Sequence, residues 1–178
     1  STWDLGWGFN VPTTNLISAY ETGDPRLAAT VLYSGQSDGY GNILPTSPPL
    51  DQPYWNKKAY TLPSERATFG ENKNHWSNIK LIRYADVLLM AAEAANELEG
   101  PAAAASYLKE IRRRAFPAAA QAVKVDAYVN ALSNKQDMFN AIVKEHKFEF
   151  TGEMERKQAL IRWNLLKVKL DEAKQKMF

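Results

Sequence analysis

The 178-residue chain carries 22 Lys and Arg against 20 Asp and Glu, a net charge of +2, and 45% of its residues are hydrophobic. That composition argues against intrinsic disorder, and the near balance of charge argues against a nucleic-acid partner. Cysteine is absent, so disulfides, thiol catalysis and Cys-ligated zinc are excluded, and two histidines, His75 and His146, leave little for a His-built metal site. No apolar run reaches the roughly 18–20 residues that a membrane-spanning helix needs. The chain begins Ser1-Thr2-Trp3 without a signal peptide, and any targeting segment is expected outside these residues.

Gly and Pro divide the chain into two styles. Residues 1–78 hold seven of the nine Gly, seven of the nine Pro and four of the five Trp, with five basic against seven acidic residues. Residues 79–178 hold 17 basic and 13 acidic residues. The fold class expected is mainly α: a loop-rich segment over 1–78, then a helical scaffold over 79–178.

In chain order, Pro12-Thr13-Thr14 offers a cap for a short helix over Asn15–Glu21, stopped near Gly23 and Pro25. Ala28–Tyr33 reads as a short strand, and residues 34–56 as a long turn-rich connection. The strongest helix is expected from Ile79 to Glu99, with Lys80, Arg83, Asp86, Glu93 and Glu97 as a polar stripe on an otherwise apolar surface. Gly100-Pro101 ends it and opens a helix to Ala115, whose inward set is Ala104, Leu108, Ile111 and Ala115. A short helical piece is expected around Val125–Leu132. A third main helix runs over Lys135–Phe150, capped by Ser133 or Asn134, and a last one from Glu153 to Lys176 with Leu160, Trp163, Leu166 and Leu170 inward.

Few residues invite bond-making chemistry. Glu145 and Glu149, one helical turn apart, have the spacing of a glycosidase carboxylate pair, and His146 beside them makes a His-plus-carboxylate metal set conceivable. The many nearby Arg and Lys favour ion pairing for these acids instead, and a lone His on an apolar face favours a core position. Asp and Asn in residues 34–52 offer oxygens to calcium but lack the EF-hand spacing. Arg112-Arg113-Arg114 point about 100° apart on a helix and cannot form one basic face. The expectation is no catalytic residue, no metal and no cofactor. The aromatics of the loop-rich segment remain: flat rings suit the apolar faces of sugars while neighbouring polar groups bond the hydroxyls. Trp7, Tyr40, Trp55 and Trp76 are the candidate substrate-binding residues. The competing reading is that such rings anchor loops on the core.

Four stretches, in order, resemble the SusD/RagB family. Pro12-Thr13 and Leu16 through Asp24-Pro25-Arg26 are similar to its opening "T-x-x-L-V-x-x-Y-x-x-x-D-P-R" segment. Ile79 to Ala94, with Arg83-Tyr84-Ala85-Asp86-Val87-Leu88-Leu89-Met90, resembles its "RYADVLLMYAEA" helix. Ile111 to Ala115 resembles "N-x-V-R-x-R-A". Ala141-Ile142 through Glu145, Glu149, Gly152, Arg156 and Leu160-Ile161-Arg162-Trp163 resembles the closing signature. Departures are Lys157 for an aromatic, Ala159 for Asp and Asn164 for Gly.

The resemblance implies the C-terminal part of a mainly helical, non-catalytic glycan-binding lipoprotein of the Bacteroidetes outer membrane. It also implies delivery of oligosaccharide to a TonB-dependent SusC-like transporter, and a lipid anchor and tetratricopeptide-like helices outside these residues. A helical protein–protein interaction module without glycan binding is the alternative. The buried acids of such a scaffold are expected to meet arginines, with Glu93 or Glu149 against Arg112, Arg114, Arg156 or Arg162. The apolar girth of the 79–99 helix is expected to need cover from a missing N-terminal portion of the same protein or from a second copy of the chain.

Overall fold

The computed structural model describes residues 11–44, 53–62, 64 and 78–175, which form a mainly helical structure with one small sheet. The chain falls into two compact units. One comprises Ser1–Glu21, Leu27–Ile79 and Leu160–Phe178, and the other Thr22–Arg26 and Lys80–Ala159.

Helix α1 (Thr14–Ala19) starts where the sequence places its cap: the Thr13 side chain accepts the Leu16 N–H at 3.2 Å. Residues 28–30, expected in a strand, belong instead to helix α2 (Arg26–Thr30). Pro25 presets the backbone dihedral of a first turn, Asp24 accepts the Arg26 N–H at 3.0 Å, and Leu-Ala-Ala are good helix formers. The strand β1 is only Val31–Tyr33. It pairs antiparallel with β2 (Tyr54–Asn56), which lies at the end of the stretch read as turn-rich. Leu32 stands opposite Trp55 and Tyr33 opposite Tyr54. The first pair faces a small core completed by Leu44 and Tyr60; the second packs ring edge to ring face, centroids 5.5 Å apart. A short 3-10 turn, Lys57–Ala59, follows β2 and is capped by Asn56.

In the helical unit, α3 (Tyr84–Leu98) starts five residues later than expected, because Arg83 is extended and serves as its N-cap. The Arg83 guanidinium is tied to Glu149 and Glu153, which fixes the chain direction at that point. Leu81 and Ile82 therefore lie outside the helix, exposed. Gly100, at φ 99, donates to the carbonyls of Ala95 and Asn96, and Pro101 opens α4 (Pro101–Ala115). Ala85, Leu88, Leu89 and Ala92 of α3 and Ala104, Leu108 and Ile111 of α4 form one core. Ala92 and Ala104 are wholly buried, and their small side chains let the two helices approach closely. The far face of α3, with Tyr84, Val87 and Met90, is exposed.

The piece expected over Val125–Leu132 begins earlier and ends at Asn130: α5 (Ala118–Gln121), a π-helical turn (Ala122–Ala127) and α6 (Tyr128–Asn130), which bury Val125 and Val129. Helix α7 (Lys135–Phe150) has the expected bounds. Asn134 is its cap, accepting the Asp137 N–H at 2.9 Å, and Met138, Ala141, Ile142 and Phe150 join the core of α3 and α4. The single last helix expected over 153–176 is two, α8 (Arg156–Arg162) and α9 (Leu166–Gln175). Asn164 adopts φ 55; its N–H donates to Ile161 O and that of Leu165 to Leu160 O, the pattern of a Schellman stop. Leu160 is buried as expected, but Leu170 is exposed and α9 buries no residue among those described.

Candidate functional site

The carboxylates that invited catalytic or metal chemistry belong to the helical unit, and they are occupied. Asp24 takes the Nε and Nη2 of Arg26, at 3.0 and 2.7 Å. The Nη1 of the same guanidinium bonds Glu145, whose other oxygen accepts Arg112 Nη1 at 2.6 Å. Arg112 also donates to Lys124 O at 2.8 Å and lies 4.0 Å from the centre of the Tyr128 ring. Glu149 accepts from Arg83 Nη1 at 3.1 Å and from Arg114 Nη2, with Arg26 at 3.7 Å. Arg83 reaches on to Glu153 at 2.6 Å and sits over the Phe150 ring.

Four guanidinium groups thus meet four carboxylates. Glu145 and Glu149 are buried and present no open face to a sugar bond, and the expectation that Glu149 meets Arg114 holds. Burial works against the charge of Arg26, but Asp24 and Glu145 outweigh it and hold its pKa above the ordinary value. Burial lowers that of Arg156, which donates to Val143 O, to about 10. Burial also raises the carboxyls of Asp86 and Glu155; Glu153 adds to both, and Asp86 to Glu155. His146 is buried and packs on Phe150, ring centres 4.7 Å apart. Among the described residues no group of three His, Asp or Glu is arranged to hold a metal.

The other candidate lies in the loop-rich unit, where Tyr40 projects from a loop pinned by one buried acid. The Asp38 carboxylate accepts four hydrogen bonds: from the backbone N–H of Tyr40 at 2.7 Å and of Asn42 at 3.1 Å, from Asn42 Nδ2 at 2.7 Å, and from the Tyr60 hydroxyl at 3.0 Å. Its own N–H donates to Asn42 O, and Ser37 bridges to Ile43. Burial would raise this carboxyl, but the four donors overcome it and hold its pKa below the usual range. Gly39 and Gly41, at φ 86 and 95, give the left-handed backbone on either side of Tyr40. The ring is left 65% exposed, with Lys57 Nζ 5.9 Å from its centre.

The four sequence candidates therefore part company. Tyr40 is presented to solvent. Trp55 is 6% exposed and packs with Leu32 and Leu44, so it offers a ligand almost no ring surface. Its placement in a strand facing a core follows the anchoring reading rather than the sugar-facing one. Trp7 and Trp76 lie outside the described residues. The sequence offered Asp38 only as one of the oxygens of residues 34–52, and Lys57 was passed over. The run Asp38-Gly39-Tyr40-Gly41-Asn42 does carry the signal of a side-chain-closed turn. Lys57 carried none, because its approach to Tyr40 depends on the pairing of β1 with β2.

Comparison with known proteins adds the lineage. A "SusD-like protein P25" of Formosa agariphila is 43% identical over 93 residues, which is 52% of this chain and 16% of that protein. The matched stretch is thus about a sixth of its relative's length. No solved structure matches the chain. The family model described as the SusD family matches residues 6–178. The chain belongs to the SusD family.

Proposed function

We propose that this protein binds oligosaccharide or polysaccharide at the cell surface without cleaving it, and delivers it to a TonB-dependent SusC-like transporter. In this reading it is an outward-facing outer-membrane lipoprotein whose anchor lies outside these residues; among the described residues no helix is long and apolar enough to cross a membrane. Family membership supports the glycan. The observation that carries the site is Tyr40, a largely exposed ring on a loop held by four bonds to one buried carboxylate. A loop backbone fixed before binding loses little conformational entropy when a sugar stacks on the ring it carries. Trp7 and Trp76 are proposed as further contacts, and Trp55 as the support beneath the sheet. The non-catalytic reading draws on the helical unit, where Glu145 and Glu149, the pair singled out in the sequence, are closed by arginines.

Affinity electrophoresis of the purified protein through gels containing a panel of soluble polysaccharides tests this, with a reducing-sugar assay on the same ligands. Retarded migration in at least one gel, with no release of reducing ends, is expected. Unretarded migration throughout, or steady release of reducing ends, contradicts it.

The exposed face of α3 supports a second part of the reading. Tyr84, Val87 and Met90 form a largely exposed strip, in which Tyr84 also bonds Glu110. We propose that another portion of the same polypeptide covers it, with a second copy of this chain as its substitute in the isolated protein. Light scattering of the 178-residue chain is expected to show self-association; a stable monomer contradicts this.

A further inference from the structure

We infer that Tyr40 and Lys57 form a subsite for an acidic sugar unit, one bearing a carboxylate or a sulfate ester. The inference rests on the glycan-binding reading above and narrows its substrate class. It starts from how the two charges at the Asp38 loop are partnered. A half-buried lysine beside a carboxylate-bearing loop would ordinarily pair with that carboxylate. Here the Asp38 carboxylate is fully buried, and both its oxygens are taken by neutral donors from Tyr40, Asn42 and Tyr60. Lys57 is left facing the Tyr40 ring, and among the described residues no ion pair joins it to a carboxylate.

Its position is fixed from both sides. Lys57 opens the 3-10 turn that Asn56 caps, directly after β2, and β2 is held in register by β1. The Lys57 ammonium also lies close to the backbone of the same loop: a Cβ at Gly39 would come within 3.5 Å of it. A compact ammonium thus lies over a flat apolar ring, 5.9 Å from its centre, with most of that ring in solvent. A pyranose stacked on the ring would bring its ring substituents to the ammonium. Carboxylate and sulfate are the sugar substituents that gain most there, because they add the attraction of opposite charges to the hydrogen bond that any hydroxyl can accept from the ammonium. A neutral sugar would gain the stacking and a hydroxyl-to-ammonium hydrogen bond, without the attraction of opposite charges.

The magnitude is modest, since one partly exposed ion pair is involved. We expect the acidic ligand to be preferred by about threefold to tenfold at low salt, and the preference to shrink as salt rises. Calorimetric titration of the purified protein tests this with three probes of matched length: an oligogalacturonate, a sulfated galactan oligosaccharide and a neutral galactan oligosaccharide. Each is measured in 20 mM and in 300 mM sodium chloride. Preference for the oligogalacturonate assigns the subsite to carboxylates, and preference for the sulfated probe assigns it to sulfate esters. Lys57→Gln should abolish that preference while leaving thermal stability and neutral-probe affinity unchanged, and Lys57→Arg should retain it. Binding of the neutral probe as tightly as the acidic ones overturns the inference but leaves the glycan-binding reading standing. A preference that survives in Lys57→Gln also overturns it. Equal loss of all probes in Lys57→Gln assigns the lysine to holding the ring and overturns it as well. Absence of binding to any probe, with no polysaccharide retained in the electrophoresis panel, removes the glycan-binding reading itself.

Discussion

The helical unit and the Asp38 loop solve the same problem, a buried carboxylate, in opposite ways. In the helical unit Asp24, Glu145, Glu149 and Glu153 are met by Arg26, Arg83, Arg112 and Arg114, so charge is cancelled by charge. In the loop, Asp38 is met by two backbone amides, an amide side chain and a phenol. The first arrangement consumes its cations and leaves a closed frame. The second consumes none and leaves Lys57 facing the Tyr40 ring. The difference is the reason recognition is proposed for the loop: side chains that already satisfy one another have little left to offer a ligand.

The largest expected effect breaks the frame. Glu145→Ala leaves Arg26 and Arg112 buried without their shared counter-charge, a loss of about 3–5 kcal/mol. For a chain of this size that lowers Tm by roughly 6–20 °C. Scanning calorimetry showing an unchanged Tm would mean that the network does not hold the helices together. The loop should respond less in stability and more in binding. Asp38→Asn leaves the backbone amides of Tyr40 and Asn42 with a weaker acceptor, costing about 1–3 kcal/mol. Faster hydrogen exchange confined to residues 38–44 is expected, together with weaker glycan binding.

Acid separates the two regions by sign. The carboxyls of Asp86 and Glu155 are raised, so the folded state holds their protons more tightly than the unfolded state does. Their burial therefore costs stability at pH 7, and the cost is relieved as pH falls through their folded values toward about 4, where unfolded carboxylates titrate. The Asp38 carboxyl is lowered. Its contribution is present above about 3.9 and is lost only as pH falls below that, through its folded value. Urea unfolding at pH 7 and pH 5 should show Asp86→Asn gaining stability over the parent at pH 7, with the gap narrowing at pH 5. A gap that widens toward pH 5 contradicts the assignment. The smallest effect concerns the stop between α8 and α9. Asn164→Ala should lose about 1 kcal/mol, because a Cβ without a compensating polar group is strained at φ 55, whereas Asn164→Gly should lose nothing. Urea midpoints distinguish the two.

What the sequence disclosed follows the range of the forces involved. Helix α4 and helix α7 were legible because their limits are local: Gly100-Pro101 at one, the Asn134 cap at the other. The start of α3 was not, because Arg83 is held by Glu149 and Glu153, 66 and 70 residues away. Asn164 concealed its stop, since both flanks read as helix and only its left-handed backbone ends the run. At the site, aromatic composition indicated that rings matter but not which. Trp55 and Tyr40 differ in exposure because one lies in a strand opposite Leu32 and the other between two left-handed glycines. Lys57 was missed for the same reason: β pairing, not spacing, brings it to the ring.

The central claim is that an exposed ring on a pinned loop binds the glycan while the ion-paired helical frame makes no contact of its own with it. Titration of Tyr40→Ala with a polysaccharide that the parent protein retains, alongside a Tm measurement, tests it most directly. At least tenfold weaker binding, about 1.4 kcal/mol, with an unchanged Tm is the predicted result. Full affinity in the variant would contradict the account.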